Sequence, residues 1–240
     1  MTGYHGKDME PPQTFDGIGP IVSDQTNVHN ELHNVVHKHL TTCWRKPIPQ
    51  HTVEAVNIAL KWLAQRAAPV ILDSFCGTGM STAVLGARHP ECSVIGLDQS
   101  TDRLQKHQPN DSDNYLLLRA ECEPFWRALI DAGISLERHF LLFPNPWPKA
   151  RHLKRRIHGH PSFPLLNRLG GAFELRSNWE IYVHEFAIAA ELMGRPGRVI
   201  AYQPTSPMTL FERKYHERGE QLWCFQTDDI AQLVTSPFEM

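Results

Sequence analysis

From Pro69 onward, short apolar runs alternate with segments whose apolar residues recur at helical spacing. The runs are VILD, SVIGLD, NYLLLRA, HFLLF, GAFELRS, GRVIAYQ and LWCFQ. Strand-length runs rich in Val, Ile, Leu and Phe, separated by helical stretches, predict an α/β fold: a mostly parallel seven-stranded sheet flanked by helices on both faces. Upstream, the spacing predicts helices over Val28–Leu40 and His51–Gln65, the second carrying Val53, Val56, Ile58, Leu60 and Leu63. Residues 1–20, rich in Gly, Pro and polar groups, read as a loose arm, and Asp228–Met240 as a helix or tail. The expected organisation is an N-terminal arm with a helical extension over 1–64 and one α/β domain over 65–240, without internal repeats.

Composition narrows the class. The 240 residues carry a net charge of −2, so affinity for a polyanion must come from a local patch. No apolar run has membrane-spanning length, and the N-terminus lacks a signal-peptide layout. The five cysteines are scattered with no C-x-x-C pair, which points to reduced thiols and a cytoplasmic protein. His29, His33 and His37 fall at i, i+4, i+8, but no Cys or carboxylate completes a ligand set at the usual spacing, so no metal is expected.

The clearest chemical signal is VILDSFCGTGMST. A buried strand reaches Asp73, and the turn through Cys76, Gly77 and Gly79 leads into a helix. Two glycines allow a tight turn and close backbone approach to a ligand, but the third glycine of a dinucleotide cradle is absent. D-x-x-C-G-x-G resembles the first motif of S-adenosylmethionine-dependent methyltransferases, in which this turn lies against the methionine part of the cofactor. The next strand ends in Asp98, an acid placed to accept two hydrogen bonds from ribose hydroxyls, and the third leads to Glu121, beside the expected adenine position. Three acids at the ends of consecutive strands mark a nucleoside site, because ligands of open α/β sheets bind there.

The fourth strand ends in FPNPWPKARHLKRR. Three prolines stiffen its exit, Asn145 offers a donor and an acceptor, and Trp147 offers a flat stacking face. Lys149, Arg151, Lys154, Arg155 and Arg156 follow with no acid among them. If helical, Arg151, Lys154 and Arg155 share a face, and such a density of positive charge suits phosphates.

This segment resembles the central motif of the bacterial tRNA (guanine-N7)-methyltransferase family. GGAFELRSNWEIYVHEF resembles that family's fifth-strand segment, and MTLFERKYHERG its late T-x-[YF]-E-x-K motif. The likeness covers roughly residues 65–227. It implies a Rossmann-like class I methyltransferase domain and S-adenosylmethionine as cofactor, held by Asp73, Cys76, Gly77, Gly79, Asp98, Glu121 and Asn145. Asn145 is the implied catalytic residue, beside the sulfonium. Lys149, Arg151, His152, Lys154, Arg155 and Arg156 are implied RNA contacts, and Asn178, Thr209 and Glu212 the guanine-holding residues. The implied partner is tRNA or another structured RNA; monomer and homodimer both stay open.

The family usually has Asp where Asn145 and Asn178 stand. Guanine N7 carries a free lone pair, so no proton has to leave before it attacks a methyl group. Orientation matters more than a base, and an Asn carbonyl can still hold a guanine N–H, more weakly than a carboxylate. Other readings remain open: an exocyclic-amine methyltransferase, suggested by Asn-Pro-Trp; a methyltransferase for a small anionic metabolite; and a non-catalytic RNA-binding relative.

Overall fold

A computed structural model describes residues 21–227. Two helices come first, α1 (Leu32–Leu40) and α2 (Gln50–Ala64). The alternating part follows: β1 (Val70–Ser74), α3 (Met80–Arg88), β2 (Ser93–Asp98), α4 (Thr101–Leu104), β3 (Tyr115–Arg119), α5 (Cys122–Asp131) and β4 (Arg138–Leu142). Two short 3-10 turns at 150–155 and 157–159 precede α6 (Leu165–Leu169), β5 (Ala172–Ser177), α7 (Glu180–Leu192), β6 (Gly197–Tyr202), α8 (Leu210–Glu217) and β7 (Leu222–Thr227). The expected residue-1–20 arm and the Asp228–Met240 tail lie outside the described residues.

The seven strands form one sheet in the order β3-β2-β1-β4-β5-β7-β6, with β7 antiparallel to both neighbours and the remaining pairs parallel. Every residue of β1 and β2 is buried, as befits central strands covered on both faces, while the edge strand β6 has only half-buried and exposed positions. Strand order reverses between β1 and β4, and ligands of such sheets bind beyond the strands' carboxyl ends at that reversal.

Alternation along β1 builds two apolar layers. Val70 and Leu72 face the larger one, with residues of α1, α2, α5, α6 and α7; Ile71 faces a smaller one with Leu85, Val94, Phe140 and Met208. The extension thus shares the sheet's own core. Leu32 and Val36 of α1 pack toward α7, and Ala55, Val56, Ala59 and Leu63 of α2 toward α5. The first helix starts four residues later than its periodicity predicts, and the His29 backbone N–H ahead of it donates to the Glu185 carboxylate, 2.8 Å away. In α1, His33 and His37 are exposed, whereas His39 is buried against the Gly159 carbonyl at 3.2 Å.

Candidate active site

A cavity of about 730 Å³ opens beyond the carboxyl ends of β1, β2, β3 and β4. Its floor is the turn after β1. Gly77 has φ 63° and Gly79 φ 75°, in the left-handed region that favours glycine. A Cβ on Gly77 would meet nothing within 4 Å, so its backbone faces open space; one on Gly79 would strike the Leu117 side chain at 2.5 Å. Gly77 therefore presents backbone to the cavity, and Gly79 lets α3 close onto β3.

Asp98 and Asp73 occupy different layers. Asp98, 2% exposed, lines the cavity; its Oδ2 accepts the Gly77 N–H at 3.0 Å, and its Oδ1 accepts the Ser100 N–H at 2.7 Å and faces Arg103 Nη2 at 3.1 Å. It ties the ends of β1 and β2 together at the cavity edge. Asp73 does not line the cavity. Its Oδ2 accepts the Ser81 and Thr82 hydroxyls at 2.6 and 2.7 Å, anchoring the first turn of α3. Burial pushes its carboxyl up to about 6 despite those two donors. Cys76 and Glu121 both line the cavity. Burial holds the Cys76 thiol well above its ordinary range, so it is no nucleophile, and Glu121 is paired with Lys46 at 2.6 Å.

The opposite wall comes from the exit of β4. Among the described residues, the non-glycine positions with positive φ are Phe75, Phe143 and Trp147, and all three line the cavity. Backbone held in such sparsely populated regions gathers at functional sites, where surrounding contacts enforce it. Here the Asn145 side-chain oxygen accepts the Trp147 N–H at 3.3 Å in an Asx-turn, and the Arg156 guanidinium donates twice to the Trp147 carbonyl, at 3.2 Å from both Nε and Nη2. Asn145 is exposed and reaches the cavity.

The basic segment divides. Lys149, Arg151, Lys154 and Arg155 are on the surface, and Arg155 stacks over the Trp147 ring at 4.8 Å. The segment is a 3-10 turn rather than the α-helix its spacing suggests, so Arg151 and Lys154, three apart, share a face. Desolvation, reinforced by Arg155, Arg151 and Lys149, lowers the pKa of His152, whose ring meets Trp147 edge-on. Arg156 corrects the expectation that all five cations reach outward. It is 0% exposed, bonded through Nη1 to the equally buried Glu185 of α7 at 2.5 Å. Its guanidinium caps carbonyls of the β4 exit and is not an RNA contact.

Glu185 is the centre of that buried network. It also accepts His158 Nε2–H at 2.9 Å, the His29 N–H at 2.8 Å and Gln25 Nε2–H at 2.6 Å. Burial alone would raise its pKa, but the His158 bond and the Arg156 charge prevail and hold it at about 2. Burial lowers the pKa of His158 against the pull of Glu185, and its Nδ1 has no partner among the described residues. The extension closes the network, with Ser23 donating to the Pro148 carbonyl, Asp24 accepting the Ala150 N–H and Gln25 accepting from Arg156.

The remaining expected base-holders are placed unevenly. Thr209 lines the cavity as the N-cap of α8, its hydroxyl accepting the Glu212 N–H at 2.9 Å. Glu212 is 0% exposed, and both its oxygens are engaged: Oε1 by Arg176 and Tyr202 at 2.6 and 2.7 Å, Oε2 by the Met208 N–H at 2.5 Å. The T-x-x-E pattern is a variant capping box, and Glu212 pins the start of α8 from within the fold without lining the cavity. Asn178 donates to Glu220 at 3.1 Å and does not line the cavity. Sequence reasoning missed Trp44, Lys46, Lys106 and Phe211, all of which line it. Trp44 and Lys46 sit in a connector whose only sequence signal is its two nearby prolines and aromatic, and Phe211 was visible only as one letter of the T-x-F-E string.

No helix among the described residues is long and apolar enough to cross a membrane. Residues 67–225 match the Methyltransf_4 family, described as "Putative methyltransferase". A tRNA (guanine-N(7)-)-methyltransferase of Klebsiella pneumoniae subsp. pneumoniae is 31% identical over 170 residues, covering 66% of this chain and 71% of the relative. One from Sodalis glossinidius is 29% identical over 198 residues, covering 77% and 81%. Among solved structures, the 16S rRNA methyltransferase KamB superposes with a TM-score of 0.51 at 16% identity, covering 76% of this chain and 94% of that one, a likeness of fold. An antibiotic-related methyltransferase gives 0.52 at 15% identity, covering 76% and 95%. The chain therefore belongs to the tRNA (guanine-N7)-methyltransferase family and is an S-adenosylmethionine-dependent methyltransferase.

Proposed function

We propose that this enzyme methylates N7 of a guanine in tRNA. One observation carries the reading: the ribose-type acid Asp98 and the stiffened exit Asn145–Trp147, with Arg155 behind it, are walls of the same cavity. The relatives' names supply the acceptor. The residues fit the cofactor: Gly77 leaves open space where a side chain would project, and a buried carboxylate, Asp98, reaches the cavity edge at the end of β2. Asp98 would hold the ribose hydroxyls, Gly77 and Cys76 the methionine side, and Glu121 with Lys46 the adenine side. Asp73 would act from behind, through α3.

Bound S-adenosylmethionine supplies an electrophilic methyl group on a sulfonium. What the chain supplies is orientation. Guanine N7 attacks with its own lone pair, so Asn145, where the sequence resemblance places an aspartate, need not remove a proton. Its amide positions the acceptor, and the Asx-turn with Trp147 fixes the amide in turn. Burial of Arg156 narrows the phosphate-gripping set to Lys149, Arg151, Lys154 and Arg155.

A tRNA transcript built with 7-deazaguanosine tests the acceptor, since it keeps every exocyclic amine and loses N7. Labelled-methyl incorporation is expected to fall to background on that transcript. Undiminished incorporation would move the acceptor to an exocyclic amine. The phosphate contacts have their own readout. The triple substitution Arg151→Gln, Lys154→Gln, Arg155→Gln is expected to make the slope of log affinity for tRNA against log salt shallower by about 2–3, at roughly 0.7–0.9 per released phosphate contact. An unchanged slope would assign those cations another task.

A further inference from the structure

Hydrogen bonds hold the turn after β1 link by link. The Cys76 N–H donates to the Leu97 carbonyl at 2.9 Å, the Gly77 N–H to Asp98 Oδ2 at 3.0 Å, and the Gly79 N–H to the Cys76 carbonyl at 3.0 Å. The Thr78 carbonyl is met by a side chain, Nδ1 of His107, at 2.9 Å. His107 follows α4, its own N–H donating to the Leu104 carbonyl at 3.0 Å. Its partners fix the tautomer of its ring. A carbonyl only accepts, so Nδ1 carries the proton. Nε2 of the neutral ring is then a lone pair and accepts the Tyr115 hydroxyl at 2.9 Å. The Tyr115 ring meets the imidazole edge-on, at 5.6 Å between centroids.

We propose that His107 is a positioning residue for the cofactor, fixing the Thr78–Gly79 peptide in the cavity floor, a role that rests on the reading of this turn as the methionine side of the site. A peptide flip here would reverse the sign of φ at the following residue. That residue is Gly79, at φ 75°, and glycine tolerates either hand, so its own backbone does not resist the flip. A flip would swing the Thr78 carbonyl away from His107, break the Gly79–Cys76 bond and reshape a wall of the cavity, which Thr78 lines. His107 opposes it with a donor and by contact: a Cβ on Gly79 would stand 3.0 Å from Nδ1, so the imidazole lies directly on the glycine. His107 does not itself line the cavity, so it acts on the cofactor through Thr78. Asp98, at the end of β2, and His107, just after α4, thus grip the same turn from both ends of one segment.

Two conservative substitutions in the full chain separate the ends of the ring. The amide nitrogen of an asparagine falls where Nδ1 stands, and that of a glutamine where Nε2 stands. Calorimetric titration with S-adenosylmethionine is expected to show His107→Gln binding about three- to tenfold more weakly than the wild type, the range of one net hydrogen bond, and His107→Asn within about twofold of it. KM for tRNA should stay within about twofold in both variants, which also reports intact folding. A histidine that only braced β3 through Tyr115 predicts the opposite order, glutamine tolerated and asparagine not, and that order would overturn the proposal. Equal losses in both would assign the effect to the bulk of the ring and end the claim for its donor. NMR of the imidazole nitrogens should find the Nδ1–H tautomer in the neutral ring; the Nε2–H tautomer would set a lone pair against the Thr78 carbonyl and contradict the role. Wild-type cofactor affinity in both variants, with affinity still lost in Asp98→Ala, would remove His107 and leave the cofactor site standing. Unchanged affinity in Asp98→Ala as well would take the cofactor away from this turn, and the proposal with it.

Discussion

Asp98→Ala is expected to raise the dissociation constant for S-adenosylmethionine by a hundredfold or more. In the proposed site this carboxylate accepts two ribose hydroxyls, and hydrogen bonds to a charged group contribute about 1.5–3 kcal/mol each, so losing both costs about 3 kcal/mol at the least. The loss is not confined to the ligand. The same carboxylate accepts the backbone N–H groups of Gly77 and Ser100 and faces Arg103, so the alanine variant releases the junction of β1 and β2 and should be about 1–3 kcal/mol less stable. Calorimetric titration well below the melting point of both proteins separates the two effects. A folded variant with wild-type cofactor affinity would remove Asp98 from the site.

The largest effect on folding is expected at Glu185 of α7. Removing one member of a fully buried ion pair leaves the other charge uncompensated, and such losses run to about 3–5 kcal/mol. Glu185→Ala strands the Arg156 guanidinium and deprives Gln25, His29 and His158 of an acceptor. The double variant Arg156→Leu, Glu185→Leu should recover much of that stability, since no buried charge remains. It should not recover turnover, because the Trp147 carbonyl beside Asn145 then loses both of its guanidinium hydrogen bonds. Chemical denaturation of the three proteins, set beside their kcat, reads both outcomes; a double variant with wild-type kcat would show that the pair stabilises the fold without positioning the loop. The pH dependence has a definite sign. The folded pKa of Glu185, about 2, lies below its ordinary 4.5, so its contribution is complete above about pH 4.5 and is lost as pH falls toward 2.

Much of this was legible in the sequence. All seven strands sit where their apolar runs predict, because central parallel strands are continuous Val/Ile/Leu runs that periodicity reads directly. Gly77 and Asp98 both line the cavity, because they follow or end neighbouring strands, β1 and β2, whose carboxyl ends open onto it. What was illegible is burial that depends on partners distant in the chain. Five cations in a row look alike on paper; only Glu185, 29 residues after Arg156, shows that one of them points inward. The burial of Glu212 was hidden for the same reason: its partners Arg176 and Tyr202 come from β5 and β6. Trp44 and Lys46 were invisible because the connector between α1 and α2 has no periodicity to place it over the end of β3.

Nucleoside mass spectrometry tests the central claim most directly. Unmodified tRNA is incubated with the protein and S-adenosylmethionine bearing a heavy methyl group, digested to nucleosides and compared with standards. The proposed chemistry predicts heavy 7-methylguanosine as the product. A heavy methyl group on an exocyclic amine, or on no nucleoside at all, would contradict it.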